Sequence, residues 1–519
     1  MMMKTNDKYF LLVLIAGIIS SCAKLKENPD SFIPAQEYYK TKADAVNAVN
    51  AVYFLLNSGG TSVQTPYNTL FATGMDFMSD DLDPGPGATN PDVRSQAVLN
   101  HSSTGLRVLQ LWQQHYAGIK KANIAIDKVP VIADPALTDE LKKRLVGEAK
   151  LLRGLYYFNL VRLYGAVPLI LHDQEGVTIT DFAIEQTPVT GVYAQVEKDL
   201  SDAASALPDS YSGADLGRAT AGAAKSLLAK VYLTQGKWTE AVLKAEEVTG
   251  PYPYSPGASP YKYELFADYS QVFLPAFKNG KEHILSAQFK SNSLGQGNNQ
   301  APRGARTGVP GMVGIYSDQV RFYTQGTDKN FSIYKLYSAN DKRKKNGTFV
   351  TRFLGSDGKW YGDLVDKAIP GDSIPYLNKY WDPAQAANLS ESAANVPVIR
   401  FAEVLLILAE AENEINGPSG KAYAAYNRVR ERAGLTPFST LTKNQFRDSL
   451  YLDRRLELVW ENQRWFDLIR EKDAAGKVIL EDALRKVGKT NVSVPKHLLF
   501  PIPQQEIDLN SKLKQNAGW

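Results

Sequence analysis

Apolar residues return every three or four positions along most of this chain, outlining a succession of helices. Thr41-Lys42-Ala43-Asp44 has the layout of a capping box, and Val46, Val49, Val52 and Leu56 follow at helical spacing. Leu109, Trp112, Tyr116, Ile119, Asn123 and Ile126 form a second stripe. Leu141, Leu145, Ala149, Leu152, Tyr156 and Leu163 form a third, which stops at Gly165 and Pro168. Thr187 before Pro188 predicts an N-cap with proline at the first helical position, ahead of Val189, Val192, Val196, Leu200, Ala203 and Leu207.

From Ala219 to Val248 the pattern becomes a close pair: Leu228, Ala229 and Tyr232, a break at Gly236, then Trp238, Ala241 and Ala245. Small residues let two helices approach, glycine turns the chain and the aromatic rings fill the gap, as in a tetratricopeptide hairpin. A second pair is expected from Phe401 to Asn413 and from Ala422 to Arg432. No strict repeat of about 34 residues is present, so unrelated antiparallel helices stay open as the alternative. Thr442-Lys443-Asn444-Gln445 predicts a capping box for one long helix carrying Phe446, Leu450, Leu456, Trp460 and Leu468. On it, Arg454, Arg455, Glu457, Glu461, Arg464, Asp467 and Arg470 are spaced for structural pairs three or four residues apart.

Between about residues 250 and 395 the periodicity fades, and Gly, Pro, Asn, Ser and Tyr accumulate. His283 to Phe289 reads as a strand. Thr348 to Phe353 and Lys359 to Tyr361 read as a hairpin around Asp357-Gly358. A structureless insertion this long is unusual in a compact domain, which points to a folded, functional face over the helices.

The N-terminus departs from this pattern. Lys4 and Lys8 precede an apolar run from Tyr9 to Ile19, then Ser20 and Ser21 stand before Cys22, the three-part layout of a signal peptide. The run is shorter than the roughly 20 residues of a spanning helix. Cys22 is the only cysteine, so no internal disulfide forms. The formal charge is +4. Removing Lys4, Lys8 and Asp7 with the leader subtracts one unit, too little charge over such a surface to argue for nucleic acid.

Five segments in order resemble the SusD/RagB outer-membrane nutrient-binding lipoproteins of Bacteroidetes. They are Glu148 to Gly154 with Tyr156-Tyr157 and Tyr164 to Pro168; Thr220 to Leu233; Ile399 to Leu406; Arg454 to Leu458 with Arg464 to Leu468; and Phe500 to Pro503 with Glu506-Ile507 and Asn510. Ile19-Ser20-Ser21-Cys22 resembles a lipobox, although Ser21 stands where Gly or Ala is commoner. The resemblance implies a mostly α, SusD-like fold, with tetratricopeptide-like helix pairs supporting a loop-rich region with a few short strands. It divides the chain into a signal peptide (1–21), a lipidated tether (22–35) and one domain (36–519). Within that domain, scaffold segments 36–249 and 396–519 flank a ligand-facing insertion, 250–395. It also implies lipid on Cys22, a SusC-like TonB-dependent β-barrel transporter as partner, and a glycan, or in some members a peptide, as ligand. Its motifs lie in the scaffold, so they assign no ligand contact.

Enzyme chemistry finds little purchase. His101, His115, His172, His283 and His497 are scattered, with no HExxH pair and no second cysteine, and there is no GxSxG elbow. Gly417-Pro418-Ser419-Gly420-Lys421 lacks the earlier glycine and the hydroxyl of a phosphate loop and suits a helix-hairpin turn. Carboxylate pairs for glycoside hydrolysis are set in space, so a glycosidase stays open, as does an adaptor without a small ligand. No cofactor is expected. Asp80, Asp81 and Asp83, before Gly85-Pro86-Gly87, read as a solvated acidic turn; a sugar contact at Asp80 and Asp81 and a calcium site at all three are the alternatives. Asp341 to Lys345 reads as a solvated basic loop. Because a sugar offers a flat C–H face and a polar rim, aromatic side chains of the irregular region are the better candidates. They are Trp360 and Tyr361 near the hairpin tip and Tyr316, Phe322 and Tyr323 in loops, with Tyr67 from the first loop.

Overall fold

Helix ends fall where side chains or glycines satisfy the terminal backbone groups. The computed structural model describes residues 38–57, 64–84, 88–174, 183–291, 294–298, 320–321, 333–344, 347–350, 352–354, 360–362, 376–385 and 391–519, with backbone alone at 320–321, 350, 352–354, 360–362, 376–377 and 383. Helix α1 (Lys42–Asn57) opens on the expected reciprocal cap, Thr41 N–H donating to Asp44 and Asp44 N–H to Thr41 Oγ1. Helices α2 (Leu106–Lys128) and α3 (Asp139–Tyr164) follow, α3 ending on Gly165 at φ +72°. Helix α4 (Val189–Ala206) begins one residue later than the sequence suggests. Thr187 is drawn into a two-residue ladder with Val167, leaving the cap position to Pro188.

The expected hairpins form. Helices α5 (Ala221–Gln235) and α6 (Trp238–Thr249) are joined through Gly236 in the left-handed conformation. Helices α7 (Phe401–Asn416) and α8 (Gly420–Arg432) are joined by the 417–420 turn, where Ser419 accepts from Ala422 N–H, so this turn caps a helix. Helix α9 (Lys443–Leu458) starts with the expected capping box. It does not run on. Trp460 and Asn462 adopt positive φ, and helix resumes only as a short α10 (Arg464–Leu468). Packing passes from α2 to α3, α4, α5 and α6, then crosses to α7, which also carries α8 and α9.

The middle of the stack is tightly packed. From Glu148 to Tyr164 every α3 residue except Lys150 is buried, and Tyr157 and Tyr164 donate their hydroxyls to Ile170 O and Val108 O at 2.8 and 2.7 Å. Tyr156 similarly donates to Val52 O at 2.7 Å. Its ring occupies the space left by Gly118 on α2, where a Cβ would lie 2.5 Å from the ring. Gly118→Ala should therefore cost about 1–3 kcal/mol through overpacking. Thermal denaturation checks this, and an unchanged melting temperature would show that α2 and α3 separate freely.

Ten short strands pair in five antiparallel ladders among the described residues: β1 (Asp83–Pro84), β2 (Val167–Pro168), β3 (Gln186–Thr187), β4 (His283–Ala287), β5 (Val320–Arg321), β6 (Phe349–Val350), β7 (Arg352–Leu354), β8 (Trp360–Gly362), β9 (Tyr376–Leu377) and β10 (Val396–Arg400). β4 lies where the sequence places a strand, and its partner is β10, directly before α7. The expected hairpin is β7 with β8, Phe353 opposite Tyr361 and Leu354 opposite Trp360. Phe349 and Val350 belong instead to a separate ladder with β9.

Candidate functional site

The loop-rich face is built from chain segments that leave the scaffold and return to it, and its roots show how it is held. At the end of α1, the Asn57 side chain donates to Gln288 O just beyond β4. Asn395 Oδ1 accepts from Phe289 N–H at 3.0 Å, while Asn298 N–H reaches Ser392 O and its side chain reaches Ala394 O, both at 2.8 Å. Tyr337 donates to Leu456 O on α9, and Phe349 sets its ring edge-on to Tyr334 and Tyr337. Each root thus ends on a hydrogen bond or ring contact to the scaffold or to a neighbouring root.

Beneath the face lies a buried network of charges. Glu457 accepts from Arg400 at 2.6 Å, from Arg343 at 3.3 Å and from Arg432. Arg400 also engages Glu282 and Glu461, and Arg343 engages Asp341 and Asp453. Burial alone would raise the Glu457 carboxyl, but the Arg432, Arg400 and Arg343 guanidinium groups outweigh it and hold the pKa well below the usual range. The 341–345 segment is consequently not a solvated basic loop at its centre: Arg343 is fully buried, because its charge is matched from three sides. The pairs expected three or four residues apart along one helix are mainly long-range instead. Arg454 pairs with Glu403 and Asp467, Arg455 with Asp80 and Asp81, and Arg470 with Glu410.

At Asp80 and Asp81 the acidic turn is neither solvated nor open to a sugar. Asp80 and Asp81 are 4% and 2% exposed. Arg464 grips both Asp80 carboxylate oxygens, at 2.8 and 3.0 Å, and Arg455 takes Asp81 and the Asp80 carbonyl. Burial opposes ionisation of Asp80, but Arg455 and Arg464 prevail and hold it well below the carboxylate range; at Asp81 burial prevails and the pKa is raised. Lys489 Nζ donates to the carbonyls of Phe77, Ser79 and Leu82 and lies 3.3 Å from Asp83. With their charges consumed by arginine and lysine, these acids do not form the calcium loop considered from sequence; among the described residues no group of three or more His, Cys, Asp or Glu is placed to hold a metal ion.

Tyr67 is also corrected from ligand contact to core. It lies in the first of two wide helical turns, Pro66–Leu70 and Ala72–Asp76, that pack on α1, α2 and α10. Its ring is 3% exposed, meets Phe71 edge-on at 5.1 Å, and its hydroxyl is pushed up to about 12 by burial.

Of the other candidates the structure describes only the surroundings. β1 pairs with β5, Asp83 opposite Arg321 and Pro84 opposite Val320, so the acidic turn braces the strand directly before Phe322 and Tyr323. Tyr316, Phe322 and Tyr323 lie outside the described residues, as does Cys22. Trp360 and Tyr361 occupy β8, where the backbone is defined. Sequence reading missed the residues that hold the base: Arg343 fell in a stretch read as a solvated loop, and the roles of Arg432 and Lys489 were not read, because Glu457, Glu282 and the carbonyls of Phe77, Ser79 and Leu82 lie far from them in sequence.

Two family models match the chain in succession. One, described as starch-binding associating with outer membrane, matches residues 69–233, and the other, described as the SusD family, matches residues 281–519. The chain is 29% identical over 526 residues to a SusD-like protein of Formosa agariphila, covering 98% of each chain, and 27% identical to a second from the same organism, covering 99% of this chain and 98% of that one. It is also similar to a solved laminarin binding SusD-like protein, with 27% identity, a TM-score of 0.72, and coverage of 93% of this chain and all of that one.

Proposed function

Because this chain belongs to the SusD family, we propose that it is an outer-membrane lipoprotein that captures glycan on its loop-rich face and passes it, without covalent chemistry, to a SusC-like TonB-dependent barrel. The observation that carries the reading is the division of labour beneath that face. Buried arginine–carboxylate contacts fix the roots, while Trp360 and Tyr361 belong to the β7–β8 hairpin of the loop-rich region. Full-length likeness to a laminarin binding protein supports a saccharide in preference to a peptide.

The binding arithmetic suits a transporter lid. Two or three stacked rings at about 0.5–1.5 kcal/mol each approach the roughly 4.1 kcal/mol of a millimolar complex. A tether to the barrel raises the effective concentration, so weak capture with fast release still delivers cargo.

Isothermal titration of the full chain carrying Cys22→Ala against a polysaccharide panel that includes laminarin tests the proposal. Saturable binding to at least one glycan is expected. Trp360→Ala should weaken it about twofold to tenfold and leave the melting temperature unchanged. Unchanged affinity removes Trp360 from the site. Absence of any glycan binding, with robust capture of other proteins by the α5–α6 and α7–α8 hairpins, would replace this reading with an adaptor.

A further inference from the structure

Where a helical turn ends, its last carbonyls are left without partners inside the helix. Just beyond the turn Ala72–Asp76, the carbonyls of Phe77, Ser79 and Leu82 converge on the Lys489 ammonium at 2.6, 2.6 and 3.0 Å. An ammonium has three hydrogens to donate, so each carbonyl takes one. The Asp83 carboxylate lies 3.3 Å away and matches the charge. The lysine itself is buried, while the Asp83 side chain keeps 21% of its exposure and forms the rim toward solvent.

The lysine is delivered to this cage by a rigid support. Helix α11 (Leu480–Lys486) closes with Gly488 at φ +82°, Gly488 N–H donating to Arg485 O and Lys489 N–H to Leu484 O, both at 3.0 Å. These paired bonds are the glycine-terminated cap that fixes the residues after a helix. Two residues on, the Asn491 side chain donates to Val98 O at 2.8 Å. The backbone of Lys489 is thus held on both sides, and the turn at 77–83 is shaped around its ammonium.

The cage has the chemistry of a monovalent cation site. Carbonyl oxygens standing in for a hydration shell are how potassium is held in proteins. The three oxygens lie at or beyond the upper end of the roughly 2.3–2.6 Å of calcium sites, and one carboxylate is little charge for a divalent ion. The cage also has a mechanical output. Asp83 opens β1, whose pairing with β5 fixes Val320 and Arg321 in the loop-rich region. We propose that the Lys489 ammonium is the resident cation of a carbonyl cage that free potassium or ammonium can fill in its absence. The filled cage positions β5, and through it sets the glycan affinity of the loop-rich face; only this last step rests on the glycan reading above.

The test compares the full chain carrying Cys22→Ala with the same chain carrying Lys489→Ala, in choline, potassium and ammonium chlorides of equal ionic strength. In choline chloride, hydrogen exchange at 77–83 and at Val320 and Arg321 should rise about tenfold or more in the variant, with the α5–α6 hairpin unchanged. Potassium or ammonium should reverse the rise and leave the parent, whose cage is full, unaffected. Glycan affinity should fall about threefold or more in choline chloride and recover with the same two salts. A variant that folds only in potassium or ammonium chloride would support the cage equally. Failure to fold in all three salts, exchange that does not rise, or a rise that no salt reverses would overturn it. Raised exchange with unchanged glycan affinity would overturn the step from β5 to the ligand face. Absence of glycan binding by the parent would sink the glycan reading and leave the exchange result to decide the cage.

Discussion

Glu457→Ala is expected to destabilise the folded chain by about 3–5 kcal/mol, the typical cost of removing one partner from a buried ion pair. Glu457 is fully buried and receives Arg343, Arg400 and Arg432, while its backbone carbonyl takes hydrogen bonds from Tyr269 and from Arg400 at 2.6 and 2.8 Å. Deleting the carboxylate leaves three arginines packed together with less than their share of negative charge. It also leaves a void in a layer that joins α8, α9 and β10 to the roots of the loop face. The urea midpoint measured by circular dichroism reads the loss. A midpoint equal to that of the parent protein would mean that Glu282, Glu461, Asp341 and Asp453 suffice without it.

The same substitution has a pH signature. Glu457 has a folded pKa below its ordinary value of 4.5, so its contribution is fully present above that value and is lost only as pH falls through the lower folded one. The stability gap between parent and variant should accordingly stay flat from about pH 8 to pH 5 and narrow below pH 4.5. A gap that closed between pH 8 and pH 6 would place the effect on some other group.

Cys22→Ala should transfer the protein from the membrane fraction to the soluble fraction with no change in the melting of the body. Each buried methylene of a lipid chain contributes about 0.8 kcal/mol, and two or more chains on one cysteine dominate the partition. Among the described residues no helix is long and apolar enough to cross a membrane. The first described element, α1, opens well after Cys22 on a cap of its own, Thr41 with Asp44. Fractionation of cells after a high-salt wash reads the result. Retention of the variant in the membrane pellet would argue for an anchor other than lipid on Cys22.

Helix pairs were legible because their information is local. Thr442 and Gln445 close a capping box within four residues, Gly236 turns one hairpin, and Ser419 caps the second helix of the other. The short run that marks β4, and the Asp357-Gly358 signal between β7 and β8, also act over a few residues. Where tertiary demands compete, local reading slips. Thr187 has the chemistry of a cap yet joins a ladder with Val167, and the periodicity that continues from Leu456 past Trp460 hides the break that ends α9 at Leu458.

The site divides the same way. The sequence by itself determined the helical stack, the presence of an irregular face with aromatic residues, and the family resemblance carried by scaffold motifs. Only the tertiary structure decided which charges are surface and which are foundation. Asp80 and Asp81 look like an open acidic turn until Arg455 and Arg464, more than 370 residues away, close on them. Tyr67 looks like a loop aromatic until two wide turns carry it into the core. A carboxylate or ring has the same local pattern in either place. Burial and the opposite charge that makes burial affordable come from distant segments, and nothing in the nearby sequence encodes their arrival.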